Sequence, residues 1–172
     1  INGGDNDDIL HGHGLTQDEI NIILAANPNV VFNEQTNSFY QYINSVVNFD
    51  PARAAANAST LNGVAGHLVN ITSDIENTYI ASFGQYIWLG GSDESIEGNW
   101  QWLDGAEAGQ VFWTGAGSGS GGTAISSAYS NWQNASEPNC PIPHKVLDPM
   151  IHTTIPTIVI IAALAWLNPL KF

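Results

Sequence analysis

Trp88-Leu89-Gly90-Gly91-Ser92-Asp93, followed after three residues by Glu97-Gly98-Asn99-Trp100-Gln101-Trp102-Leu103-Asp104-Gly105, is the stretch on which the fold turns. Tyr86 to Gly91 reads as a strand closed by two glycines. Asn99 to Leu103 alternates polar and apolar residues, and a period of two places Trp100 and Trp102 on one side of a second strand. Asp104-Gly105 is a turn signal that ends it. Trp88 and Leu89 fall within the first of these strands. Trp100 and Trp102 read as core or sheet-face packing in preference to platforms for stacking sugars.

Upstream, Gly66-His67-Leu68-Val69-Asn70-Ile71 reads as a strand with His67 as a core histidine. Ser73-Asp74-Ile75-Glu76 has the spacing of a capping box and opens a helix. Pro51 to Ala58 is Ala-rich with proline in the first turn, the pattern of another helix. Phe39, Tyr40, Tyr42 and Ile43 form a strand-like stretch. Thr16, with Asp18 and Glu19 behind it, predicts a helix over Gln17 to Ala26 that Asn27-Pro28-Asn29 ends. Downstream lie a Gly/Ser loop from Gly115 to Gly122 and the run Tyr129-Ser130-Asn131-Trp132-Gln133-Asn134-Ala135-Ser136-Glu137-Pro138-Asn139.

The ordered series Gly63, Gly66-His67-Leu68-Val69-x-Ile71, then Trp88-Leu89-Gly90-Gly91, then Glu97-Gly98-x-Trp100-x-Trp102-Leu103-Asp104-Gly105, then Tyr129-x-Asn131-Trp132 and Glu137-Pro138-Asn139 resembles the C-type lectin-like domain over residues 37–139. The resemblance implies an α+β fold of two helices, antiparallel sheets and a long loop region. Residues 16–36 then read as a short helix and linker. Gly3-Gly4-Asp5-Asn6-Asp7-Asp8-Ile9-Leu10, within residues 1–15, resembles a remnant of the nonapeptide calcium repeat of secreted RTX proteins. By that resemblance Asp8 is a weak calcium-ligand candidate. His11 and His13 alternate with glycines and read as loop.

In sugar-binding members of the lectin family, the residues matching Glu137 and Asn139 bind one Ca2+ and hydrogen-bond two neighbouring sugar hydroxyls. The Glu-Pro-Asn version implies a mannose, glucose or fucose type of ligand. Calcium takes roughly six to eight oxygens, and Glu137 with Asn139 supplies only part of them. The family draws the rest from an acidic residue and a Trp-Asn-Asp stretch downstream. Here Asp148 is the only acidic residue after Asn139, and Trp166-Leu167-Asn168-Pro169 departs from that stretch. The metal site is thus incomplete as read. All 17 glycines precede Asn139, and five of eight prolines follow it. Residues 140–172 read as an atypical tail, for which a shifted reading frame and a divergent natural ending are both open. A strand over Thr157 to Ile161 would fill the slot of the family's closing strand.

The chain has 172 residues, with three basic and sixteen acidic side chains and a formal net charge of −13. Phosphate backbones and anionic membrane surfaces are disfavoured partners. The apolar run Ile155 to Leu167 is too short for a membrane span of about 20 residues. One cysteine, Cys140, allows no internal disulfide. The start lacks Met and a signal-peptide pattern, so the chain reads as a piece of a longer protein, secreted or cell-surface by a signal-peptide-independent route. No nucleophile, base and acid group stands out, so an enzyme is not expected. The resulting expectation is a calcium-dependent carbohydrate-binding module of a secreted RTX-type bacterial protein. The alternative is a non-sugar-binding lectin-like module for protein interaction or adhesion. Asn57-Ala58-Ser59, Asn70-Ile71-Thr72 and Asn134-Ala135-Ser136 match the glycosylation sequon.

Overall fold

The computed structural model describes residues 15–83, 87–116, 121–126 and 128–132, together with the backbone of 155–163. Helix α1 runs Gln17–Ala26, and its start is a complete capping box. Thr16 Oγ1 accepts from the Glu19 N–H at 3.3 Å, and Glu19 Oε2 accepts from the Thr16 N–H at 2.7 Å. Strand β1 (Val30–Asn33) pairs antiparallel with β2 (Ser38–Val47). Helix α2 covers Phe49–Ala58. Thr60–Leu61 (β3) and Val64–Ala65 (β4) form a hairpin whose turn residues Asn62 and Gly63 have φ of 50° and 80°. Positive φ at both turn positions is what Asn-Gly supplies. Strand β5 (His67–Leu68) and helix α3 (Asp74–Ala81) follow.

At α3 the capping box is only half formed. Ser73 Oγ accepts from the Glu76 N–H at 3.2 Å, but the Glu76 carboxylate turns instead to the Thr72 N–H at 3.0 Å. Of the strand expected over Tyr86 to Gly91, the described part begins at Ile87 and crosses between the sheets. Leu89 makes a parallel bridge with Val69 before β6 (Gly91–Ser92). Then come β7 (Asn99–Trp102), β8 (Val111–Thr114) and β9 (Thr123–Ala124).

Among the described residues, with β10 at Ile155–Ala163, two four-stranded antiparallel sheets form, ordered β1-β2-β10-β5 and β6-β7-β8-β9. Strand β10 is Ile155–Ala163, and its backbone pairs with β2 on one side and β5 on the other. The conditional strand at 157–161 is therefore present, longer than expected, and it lies inside the stretch set apart as a tail.

The first sheet is covered on both faces. Side chains alternate across a strand, so neighbours enter different cores. Phe39, Leu68 and Trp88 join Ile20, Ile23, Phe49, Ala52 and Ala56 from α1 and α2. Their sequence neighbours Tyr40, Val69 and Leu89 join Ile80 of α3 and Trp100, Trp102, Phe112 and Trp113 of the second sheet. Strands buried on both faces read as continuous apolar runs, which explains the Phe-Tyr, Leu-Val and Trp-Leu pairs. Trp88 is clamped by an Nε1–H bond to the Val47 carbonyl at 2.9 Å and an edge contact with Phe49 at 5.6 Å.

Gly90 is where the sheets meet. Its N–H donates to the Val69 carbonyl and its carbonyl accepts from the Leu103 N–H, both at 2.8 Å. A Cβ there would lie 2.3 Å from Asn70 Oδ1 and 3.0 Å from the Leu68 carbonyl oxygen. Gly91 faces Phe112, which a Cβ would meet at 2.9 Å. Gly90→Ala is expected to destabilise the fold by about 1–3 kcal/mol through overpacking. The urea midpoint would fall accordingly, and an unchanged midpoint would refute the close approach.

Candidate functional site

Asn70 follows directly on the bridge at Val69 and is 2 % exposed. Its Nδ2 donates to the Asp104 carbonyl at 2.8 Å and to Glu107 Oε2 at 3.1 Å. Its Oδ1 has no hydrogen-bond partner. Asp104 is held from the other side by Arg53 of α2, with Nε to Oδ2 at 2.6 Å and Nη2 to Oδ1 at 3.0 Å. This two-pronged geometry is the strong form of an Arg–carboxylate pair. Gly105 takes φ of 79° over the His67 ring, where a Cβ would meet Cε1 at 2.6 Å. His67 is buried, and its Nδ1 lies 2.8 Å from the Leu68 carbonyl. The carbonyl can only accept, so Nδ1 carries the proton. The Asp-Gly turn is thus pinned to α2 and β5 at once.

A polar hollow of about 230 Å³ opens beside this turn, lined by Thr36, Ser38, His67, Asn70, Glu76 and Glu107 among others. Glu76 is 7 % exposed. Its carboxylate accepts from the Thr72 N–H at 3.0 Å and the Thr72 hydroxyl at 3.3 Å. The Tyr40 hydroxyl lies 3.1 Å from Glu76 Oε1 and 2.9 Å from Thr36 Oγ1. Burial pushes the Glu76 carboxyl up from its ordinary range, and the bonds from Thr72 and Tyr40 only partly offset it. Burial, with the nearby Glu76 charge, also raises the Tyr40 phenol.

The third feature is an aromatic wall. Trp132 packs against Trp113 at 5.8 Å, Trp100 at 5.9 Å and Phe112 at 6.0 Å. Trp102 stacks on Phe112 at 4.2 Å. The Tyr129 hydroxyl donates to Asp74 Oδ1 at 3.3 Å, tying the segment to the start of α3. A small cavity of about 60 Å³ lies here, lined by Ile71, Leu89, Trp102, Phe112, Tyr129 and Trp132 among others. Trp100 and Trp102 are 2 % and 4 % exposed, so both are core and neither is a stacking platform.

The sequence-predicted site residues Glu137 and Asn139, and Asp8 at the other end, lie outside the described residues. Trp132 is the last described residue before Glu137. Glu137 is the fifth residue after it in the sequence. Among the described residues no group of three His, Cys, Asp or Glu side chains could hold a metal ion. No helix among them is long and apolar enough to cross a membrane.

The residues that sequence reasoning passed over are Arg53, Asn70, Glu76 and Asp104. Asn70 offered only a sequon, Glu76 only a helix-start position, and Asp104 only a turn. Their partners stand 34 to 51 positions away, as in Asn70–Asp104, Tyr40–Glu76 and Arg53–Asp104. No local pattern reports such pairs.

The two anchored carboxyls titrate with opposite sign. Burial alone would raise the Asp104 carboxyl, but the Arg53 bonds and charge, with Asn57 and His67, outweigh it and leave it below its usual value of 3.8. A lowered folded value stabilises above the unfolded value and is lost as pH falls below about 3.8. Glu76 is raised above 4.5, so its folded form holds a proton longer than the unfolded chain does, and stability falls as pH rises through that window. Glu76→Gln is expected to gain in melting temperature relative to the parent between pH 4 and pH 7, as judged from melts at each pH. A pH-independent difference would contradict this. Arg53→Met is expected to cost about 1 kcal/mol in denaturant unfolding, with most of the loss gone in an Asp104→Asn background.

A family model described as "Lectin C-type domain" matches residues 52–147. Halomucin from Haloquadratum walsbyi is 32% identical over 123 residues, which is 70% of this chain. The chain spans 1% of the length of that curated relative. A solved structure of a mutant of human Regenerating Gene Type IV (REG IV) protein is 28% identical and covers 55% of this chain and 72% of its own, with a TM-score of 0.38. Trp88-Leu89-Gly90-Gly91 and the paired tryptophans of β7 fall inside the matched residues, together with α3 and the second sheet. With the match covering more than half of its residues, the chain belongs to the C-type lectin domain family.

Proposed function

We propose that this chain is a glycan-binding module of a secreted or cell-surface protein, taking a mannose-, glucose- or fucose-type ligand. One observation carries the reading. Glu137-Pro138-Asn139 stands five residues beyond Trp132, which is anchored in the aromatic core of a C-type lectin domain. Glu137 and Asn139 would contact the sugar hydroxyls and share a calcium ion. When bound, that ion would bring two adjacent hydroxyls into its oxygen shell. Among the described residues no group of three His, Cys, Asp or Glu side chains could hold a metal ion, and Glu137 and Asn139 lie outside those residues. C-type lectin domains are generally binding modules without catalysis, and binding is the role proposed here. Gly3 to Leu10, with Asp8, is proposed as a remnant of an RTX repeat from the longer protein.

A second reading, a lectin-like module for protein contact or adhesion that needs neither sugar nor calcium, is favoured by the sequence after Asn139, where Asp148 is the only acidic residue. The chain spans 1% of its relative Halomucin, which suits one module of a very long protein. The reading of this chain as secreted or surface-exposed draws on the same relative.

Isothermal titration with calcium, then with mannose in calcium, separates the two readings. The glycan reading expects heat in both steps, and Glu137→Gln and Asn139→Ala are each expected to weaken mannose binding by at least tenfold. Absence of heat in both titrations would sink it and favour protein contact.

A further inference from the structure

We propose that Asn57 is an acceptor for an N-linked glycan, and that the fold itself excludes the neighbouring sequon at Asn70. Both motifs have the required Asn-x-Ser/Thr pattern, Asn57-Ala58-Ser59 and Asn70-Ile71-Thr72. Sequence alone ranks them equally. The structure separates them completely.

Asn70 is 2 % exposed, and its Nδ2, the atom that would carry the sugar, is committed to the Asp104 carbonyl and Glu107 Oε2. The side chain also presses on Gly90, where even a Cβ would come within 2.3 Å of Oδ1. A sugar on Nδ2 would leave one N–H for two acceptors, so at least one of these bonds would be lost, and the sugar would have to enter the packed contact between Asn70, the Asp104 turn and Gly90. A chain modified there could not close its core, so folded protein carries no glycan at Asn70.

Asn57 is the opposite case. It is exposed, in the last turn of α2. The backbone leaves the helix at Ser59, whose φ of −73° and ψ of 149° are extended. The sequon therefore straddles a helix end, where fraying opens the backbone at little cost. The Asn57 side chain hydrogen-bonds Asp104, which helps lower that carboxyl. A glycosylated amide keeps one N–H, which is all that this bond uses. The glycan can thus project into solvent while the Arg53–Asp104 pair stays closed.

The transfer balances as a substitution at the anomeric carbon of a lipid-phosphate-linked oligosaccharide. The bond from Asn57 Nδ2 to that carbon forms, and the bond from the same carbon to the phosphate oxygen breaks. One amide proton is lost as the lipid phosphate leaves. The co-reactant is a membrane-carried donor with its transferase.

The test is secretion of the full chain from a eukaryotic host. The monodisperse folded fraction is then treated with an amidase that releases N-glycans in heavy-oxygen water, and its peptides are mapped by mass spectrometry. The expected result is isotope label at Asn57 and none at Asn70. Asn57→Gln and Ser59→Ala, each confirmed as folded by tryptophan fluorescence, should both lose the label at that peptide. Folded protein labelled at Asn70, or unlabelled at Asn57, overturns the proposal.

Discussion

Gly90 has no side chain, and the two halves of the molecule meet at that vacancy. Its N–H and C=O reach Val69 on one side and Leu103 on the other. Everything else is arranged around this contact. It brings Asn70 against the crossing segment, and Asn70 in turn holds the Asp104 turn. It also sends Trp88 and Leu89 into opposite cores, so one dipeptide fastens α2 beneath the first sheet and the second sheet above it. A methyl group at this position would push apart layers that are packed at solid density.

The second constraint is electrostatic. With a net charge of −13, the chain repels itself, and few cations are available to offset this. Arg53, one of three basic residues, is spent on the bidentate pair that closes the Asp-Gly turn. Among the described residues no cation pairs with Glu76, which is buried instead among hydroxyls and an N–H. Burial pushes both carboxyls up; Arg53 outweighs it at Asp104 while the hydrogen bonds to Glu76 do not, so their ionisation shifts in opposite directions.

The fold was largely legible from local patterns. The helix at Gln17 to Ala26 follows from Thr16 and Glu19, whose reciprocal bonds form as the spacing implies. The buried pair Trp100 and Trp102 follows from a period of two. The half-formed box at Ser73 was not legible, because Tyr40 and Thr72 compete for the Glu76 carboxylate and Tyr40 is 36 positions away. Nor was the contrast between exposed Asn57 and buried Asn70, since both match the same Asn-x-Ser/Thr pattern and differ in what the fold stacks on them.

Sequence by itself determined the family and the candidate ligand chemistry. Ordered glycines, tryptophans and Glu137-Pro138-Asn139 are local tokens, and each carries its own backbone or donor requirement. Tertiary structure alone decided which polar residues are locked together. It paired Arg53 with Asp104, set Asn70 between the sheets and Glu76 under Tyr40, and left Asn57 in solvent. Hydrogen bonds and ion pairs depend on distances between remote positions, and a linear pattern holds no record of distance until the chain has folded.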